Sequence, residues 1–111
     1  MSFNNRKYVI VKQGDTFYRI AMEADVELWQ LYKYNEMSEK DKLMPGTKIY
    51  LQPKRNKAKE DHHIVQKGET MHSISQLHGI KLKKLYQKNN MEPGQQPMVG
   101  EKLYLRKKRP A

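Results

Sequence analysis

Val11-Lys12-Gln13-Gly14-Asp15-Thr16-Phe17-Tyr18-Arg19-Ile20 decides the reading, because its pattern returns 54 residues later as Val65-Gln66-Lys67-Gly68-Glu69-Thr70-Met71-His72-Ser73-Ile74. Glycine, an acid and threonine in that order describe a turn followed by a helix start. Glycine allows positive φ, and threonine can cap the helix that follows. Ahead of each turn stands a β-branched run, residues 8–11 and 63–65, which favours a pleated strand. Behind it, Phe17, Ile20, Ala21 and Ala24, and in the second copy Met71, Ile74, Ser75 and Leu77, fall mostly at three- and four-residue steps, the spacing of one helical face. Gly79 ends the second copy in the left-handed conformation that suits glycine; Asp25 takes that place in the first at some cost.

Extended outward, the register pairs residues 8–51 with 62–105 without a gap, and 15 of the 44 pairs are identical. They include Leu28/Leu82, Leu31/Leu85, Tyr32/Tyr86, Asn35/Asn89, Met37/Met91, Met44/Met98, Gly46/Gly100, Lys48/Lys102 and Tyr50/Tyr104. The chain is an internal duplication, and its function is to be read per repeat. A second short helix carries Leu28, Leu31 and Tyr32 in repeat 1 and Leu82, Leu85 and Tyr86 in repeat 2, ending near Asn35 and Asn89. Its cap positions hold Glu27 and Lys81, so packing must supply what capping does not. A polar loop then runs through Pro45-Gly46 or Val99-Gly100 into closing strands at 48–51 and 102–105. The expected class is α+β: two βααβ units, each with a two-stranded antiparallel sheet packed under two short helices. A unit of this size lies near the lower limit for folding without staples.

The ordered set Val-x-x-Gly-Asp/Glu-Thr-x-x-x-Ile, a helix ending in Asn35 or Asn89, and Pro45-Gly46-x-x-Ile49 or Val99-Gly100-x-x-Leu103 resembles the lysin motif (LysM) family, and the likeness covers about four fifths of the chain. The resemblance implies a βααβ fold and non-catalytic binding of β-1,4-linked N-acetylglucosamine polymers, meaning peptidoglycan, chitin and related oligosaccharides. Two repeats with a basic tail also resemble modules carried by bacterial cell-wall hydrolases, glucosaminidases in particular. By position, the resemblance places glycan against Gly14, Asp15, Thr16 and Phe17 on one wall of a shallow groove and Lys42, Leu43, Met44 and Pro45 on the other. In repeat 2 the walls are Gly68, Glu69, Thr70 and Met71, and Gln96, Pro97, Met98 and Val99. Repeat 2 departs from the family pattern with Val99 where proline is usual and a Gln95-Gln96-Pro97 run before it. An N-acetyl group offers an N–H, a C=O and a methyl, so backbone hydrogen-bonding groups beside a small apolar wall suit it.

The expected layout is a basic arm at 1–7, repeat 1 at 8–52, a basic linker at 53–61, repeat 2 at 62–106 and a basic tail at 107–111. With 22 Lys/Arg against 12 Asp/Glu the net charge is +10, which invites a nucleic-acid reading. Its distribution argues otherwise: residues 8–51 hold six Lys/Arg against seven Asp/Glu, and 62–105 hold six against three, so the excess falls mostly on arm, linker and tail. The absence of cysteine excludes disulfides, thiol nucleophiles and the commonest structural zinc sites. No window reaches the roughly 18 apolar residues of a membrane span. Residues 1–8 lack the apolar core of a signal peptide, so export, with an envelope or extracellular location, calls for a signal outside this sequence.

Each candidate residue also has a structural reading. Thr16 and Thr70 serve first as helix caps, Asn35 and Asn89 as partners for loop backbone, and the paired tyrosines as packing. Phe17 and Met71 divide evenly between core and groove. Trp29, replaced by Lys83 in repeat 2, is expected on the surface. His62 and His63 point to opposite faces of a strand, and His72 and His78 stand six apart on a helix, so neither pair chelates and no metal or other cofactor is expected. Glu69 and His72 form the sole acid/base candidate, with no nucleophile or second carboxylate to support glycoside hydrolysis, so no catalytic residue is assigned. Lys81, Lys83, Lys84 and Lys88 form a basic helix face, solvated or set against anionic wall polymer. The reading is therefore a monomeric glycan-binding module that anchors an attached hydrolase to the wall, with two weak sites acting together through avidity. The alternatives are a nucleic-acid-binding basic protein, ranked below the glycan, and a protein-interaction module.

Overall fold

The computed structural model describes residues 1–110. The chain divides into two compact units, the first covering Met1–Lys54 and the second starting at Arg55. In the first, β1 (Ser2–Phe3), β2 (Arg6–Ile10) and β3 (Lys48–Tyr50) form an antiparallel sheet in the order β1-β2-β3, with α1 (Phe17–Ala24) and α2 (Leu28–Tyr34) between β2 and β3. The second unit pairs β4 (His62–Ile64) with β5 (Lys102–Tyr104) around α3 (Met71–His78) and α4 (Leu82–Lys88). The class is the expected α+β, and both units are βααβ. The register repeats as well: Val9 faces Ile49 and Ile10 faces Lys48, just as His63 faces Leu103 and Ile64 faces Lys102.

Local chemistry sets the helix boundaries. Thr16 Oγ1 accepts from the Arg19 N–H at 3.1 Å and Thr70 Oγ1 from the Ser73 N–H at 3.0 Å, each satisfying a donor that the first helical turn leaves open. Asp25 and Gly79 close α1 and α3 in the left-handed region, with φ of 56° and 66°. The weak start of α2 is helped by Gln30 Oε1, which accepts from the Glu27 N–H at 3.1 Å. At α4 the help comes from a distant backbone: the Arg55 carbonyl accepts from the Lys81 N–H at 2.9 Å while the Arg55 N–H donates to Gly79 at 3.0 Å.

Asn35 and Asn89 perform one job twice. The Asn35 amide donates to the carbonyls of Leu31 and Tyr50, and its Oδ1 accepts from the Tyr50 N–H at 2.7 Å. Asn89 repeats this with Leu85 and Tyr104. Both side chains are buried, so each ties the end of a helix to the closing strand in a place where unsatisfied backbone would be costly. The partner is the strand rather than the loop expected from sequence.

Val11, Phe17, Ile20, Ala21, Leu31 and Ile49 form the core of the first unit. Val65, Met71, Ile74, Ile80, Leu85, Leu103 and Leu105 form most of that of the second.

Three segments read as loose basic chain are tied down instead. Residues 1–7 hold a β-hairpin whose turn residues Asn4 and Asn5 have φ of 50° and 62°, the pattern of a two-residue hairpin turn, so the first unit's sheet has a third strand. Lys48 Nζ sits 3.3 Å from the Phe3 ring centroid and helps hold that strand. In the stretch 53–61, Lys54 is buried against the Glu36 carboxylate, and Ala58 is fully buried in the core of the second unit. In the tail, the Arg109 guanidinium donates to the Lys102 carbonyl and lies 3.3 Å from the Glu101 carboxylate. Polar composition hid these contacts because most of them are made by charged side chains that pair or pack within the fold, which composition alone does not reveal.

Candidate functional site

The two expected groove walls are brought side by side through Val11 and Val65. The Gly46 N–H donates to the Val11 carbonyl at 2.8 Å and the Val11 N–H to the Thr47 carbonyl at 2.9 Å. Gly100, Val65 and Glu101 repeat the clamp at 2.8 and 2.9 Å. The Pro45-Gly46 and Val99-Gly100 turns are thereby fixed against the strand end that leads into the Gly14-Asp15-Thr16 and Gly68-Glu69-Thr70 turns. Those turns close on themselves in the same manner. Asp15 Oδ2 accepts from the Lys12 N–H at 2.7 Å, and Glu69 Oε1 from the Gln66 N–H at 2.7 Å. Gly14 and Gly68, at φ of 88° and 87°, make a conformation that a side chain would strain.

Of the expected site residues, Gly14, Thr16, Lys42, Met44, Pro45, Gly68, Thr70, Gln96, Met98 and Val99 are exposed, and Asp15, Leu43, Glu69 and Pro97 are half-buried. Met44, Met98 and Val99 are 54%, 76% and 68% exposed, giving each groove an apolar lip of the kind a sugar's methyl group can use. Phe17 and Met71 are core side chains: Phe17 packs on the Tyr32 ring at 4.8 Å between centroids, and Met71 is fully buried. What they present to the groove is backbone. In the second unit the walls touch directly, with the Met71 N–H donating to Gln96 Oε1 at 3.1 Å.

The acid/base candidate needs correction. Glu69 is held by His63 on β4: its Oε1 lies 2.8 Å from His63 Nε2. His63 Nδ1 in turn lies 2.9 Å from His78 Nε2, with the rings edge to face. Burial pushes the Glu69 carboxyl up, but the His63 hydrogen bond, the Gln66 N–H and the charge of the two imidazoles outweigh it, leaving the group below its ordinary value. A signal for this network was present in the duplication. Val9 and Ala24 of repeat 1 are both replaced by histidine, on a strand and a helix that pack together. In the first unit the same place is an open cavity of about 440 Å³, lined by Val9, Asp15, Ile20 and Ala24 among others. It shares only Asp15 with the expected groove.

Among the described residues no three His, Asp or Glu side chains are placed to hold a metal ion. The ring nitrogens of His63 point at partners already in hydrogen-bond contact. No helix among the described residues is long and apolar enough to cross a membrane. Trp29 is 62% exposed on α2. The basic face of α4 is dense: burial first, then the charges of Lys57 and Lys84, hold the Lys88 ammonium below its ordinary value.

A family model described as LysM domain matches residues 9–52 and 63–106. The membrane-bound lytic murein transglycosylase D of Escherichia coli K12 is 31% identical over 108 residues, which cover 92% of this chain and 23% of that enzyme. The same enzyme from E. coli O6:H1 matches equally. Among solved structures, the spore cortex-lytic enzyme SleL of Bacillus cereus is 25% identical with a TM-score of 0.41, covering 93% of this chain and 23% of its own. SleL of Bacillus megaterium is 17% identical with a TM-score of 0.40, covering 96% and 23%. The chain thus spans about a quarter of the length of these relatives.

Proposed function

Because the chain belongs to the LysM family, as two tandem domains, we propose that it is a binding module for N-acetylglucosamine-containing glycans, peptidoglycan first. Each groove, between the turn at 14–17 or 68–71 and the loop at 42–45 or 96–99, takes an acetamido sugar through backbone groups, with its methyl against the methionine lip. The observation that carries this reading is the repeated clamp of Gly46 and Gly100 on Val11 and Val65, which holds two backbone-rich loops beside one another in both repeats. The module has no catalytic role of its own. It anchors a cell-wall lytic enzyme of which it forms a part, in the envelope or outside the cell, as a monomer. Two weak sites engaged by one polymer raise avidity by roughly 10² to 10⁴.

The nucleic-acid reading loses ground because several of the excess cations are engaged within the fold. The Arg6 guanidinium donates to the Pro53 carbonyl, Lys54 is buried on Glu36, and Arg106 donates to the Ala58 carbonyl. Titration of the labelled chain with peptidoglycan fragments and chitin oligomers tests the proposal. Amide shifts confined to 14–17, 42–45, 68–71 and 96–99, insensitive to salt, are expected. Failure of intact sacculi and chitin to retain the folded chain in dilute buffer overturns it, and a steep salt dependence on duplex DNA favours the alternative.

A further inference from the structure

We infer that the second unit carries a polyanion site on α4, separate from the glycan groove, and that its ligand is a flexible wall polymer bearing phosphodiesters. That the polymer belongs to the wall rests on the glycan-binding reading; the site itself does not. Three acid-free stretches supply it: 55–59, 79–91 and 106–110. They lie apart along the chain, and the fold joins them. The Arg55 carbonyl accepts from the Lys81 N–H at 2.9 Å and the Arg55 N–H donates to the Gly79 carbonyl at 3.0 Å, which sets the first stretch at the start of α4. The Arg109 N–H donates to the Lys88 carbonyl at 2.6 Å, which sets the third at its end. First and third also meet, since the Ala58 N–H donates to the Leu105 carbonyl at 3.2 Å and the Arg106 guanidinium to the Ala58 carbonyl.

Within this arrangement Lys81, Lys84 and Lys88 follow one another at three- and four-residue steps, along one helix face with a rise of about 10 Å. Lys81 and Lys83 are exposed, and Lys84 and Lys88 are half-buried. Among the described residues no carboxylate is paired with any of these four lysines. Burial first, and then the charges of Lys57 and Lys84, hold the Lys88 ammonium below its ordinary value, so cations of the first stretch and of α4 are close enough to repel. Like charges crowded on a helix cost stability, and a bound anion offsets that cost. The duplication supplies the contrast. In α2 the same four positions hold Glu27, Trp29, Gln30 and Tyr34, so a helix of this fold forms without the lysines.

The chemistry of the face selects the partner. Ammonium groups are compact point charges on flexible stems, which suit phosphate oxygens that arrive in variable geometry. Tyr86 is buried, so α4 presents no ring for base stacking. Leu85 is buried and Leu82 half-buried, so α4 offers no apolar anchor to a bilayer. A flexible polymer needs neither.

The test titrates the full chain with poly(glycerol phosphate) and follows the amides of 55–57, 81–88 and 106–108 beside the groove amides of 68–71 and 96–99. Shifts are expected in the first set and not in the second. A flexible single-stranded polyanion gives a salt slope of roughly −0.7 per phosphate contacted, so three or four contacts give roughly −2 to −3. Lys81→Glu with Lys84→Gln installs the residues of repeat 1 and is expected to weaken binding tenfold or more. Lys33→Gln with Lys40→Glu removes the same charge from exposed positions of the first unit and is expected to cost less than threefold. Equal losses in the two double variants overturn the inference, because they mean attraction to net charge and not a site. Shifts centred on the groove amides overturn it too, as does tighter binding of duplex DNA or of phosphatidylglycerol vesicles than of the polymer at matched phosphate and salt. Should the Lys81→Glu, Lys84→Gln variant lose its fold, Lys84→Gln alone is expected to weaken binding threefold or more, and no loss overturns the site. If an N-acetylglucosamine tetramer moves no groove amide while the polymer moves α4, the glycan reading fails and the polyanion site stands. If the polymer moves no amide of α4, the site fails whatever the tetramer does.

Discussion

The Met71 N–H donates to Gln96 Oε1 at 3.1 Å, so a carboxamide from one loop of the second groove occupies a backbone donor on the other. An acetamido carbonyl would approach such a donor with the same chemistry. Repeat 1 has Lys42 in the place of Gln96, and a lysine side chain offers donors only. The two grooves are therefore unequal before any sugar arrives.

Gln96→Ala removes this internal competitor. Hydrogen exchange at the Met71 amide is expected to accelerate. If the contact is worth about 1 kcal/mol, as hydrogen bonds of this kind are, binding of N-acetylglucosamine oligomers at repeat 2 tightens roughly three- to tenfold, with repeat 1 as the internal reference. Weaker binding at repeat 2 would assign Gln96 to sugar contact instead.

Asn35→Ala and Asn89→Ala each strip the hydrogen bonds that tie a helix end to the closing strand and take from the Tyr50 or Tyr104 N–H the carboxamide acceptor it uses beside a buried helix end. A loss of about 2–4 kcal/mol is expected, enough to unfold a unit this small. Urea titration followed at amides of each unit should show only the mutated one melting early. Equal midpoints in mutant and wild type would mean the hydrogen bonds are replaced by water without cost.

The duplication made most of the fold legible. Fifteen identities held at one offset marked both units, their helices and the strands that pair within each. Features outside that offset stayed hidden for physical reasons. Asn4 and Asn5 fold back a strand of only two residues, too short to show alternation. Arg55 acts through its backbone N–H and C=O, which carry no side-chain signature. Ala58 is one small apolar residue in a polar run, yet it is fully buried. At the site, the turns and loops were legible from Gly14, Gly46 and their copies. The part played by Gln96 was not, because glutamine marks no element by propensity. His63 and His78 were read along the chain, where they are far apart, and not across the sheet and helix that join them.

Glu69 sets an acid limit on the second unit. Its folded-state value lies below the ordinary 4.5, so the stability it contributes is fully present above about pH 4.5 and is lost as pH falls through the lowered folded-state value. The urea midpoint of the second unit should decline between pH 5 and 2.5. Glu69→Gln keeps an oxygen for the Gln66 N–H but has no charge to lose, so the decline attributable to this group should vanish. A variant with an undiminished acid decline would place the responsible group elsewhere.

Asp25 and Gly79 offer a final comparison, since one position of the repeat holds two residue types in one conformation, at φ of 56° and 66°. Left-handed backbone costs a residue with a Cβ roughly 1 kcal/mol and costs glycine little. Asp25 also places a carboxylate at the C-terminal end of α1, where the helix dipole disfavours negative charge. Asp25→Gly relieves both and gives back part of the gain through glycine's greater freedom in the unfolded chain. A net stabilisation of about 0.5–1 kcal/mol is expected for the first unit, and a loss of at least that size for the second in Gly79→Asp. Thermal or urea melts resolved by unit measure both. If Asp25→Gly destabilises the first unit, the aspartate side chain contributes a contact at the helix end that outweighs its strain.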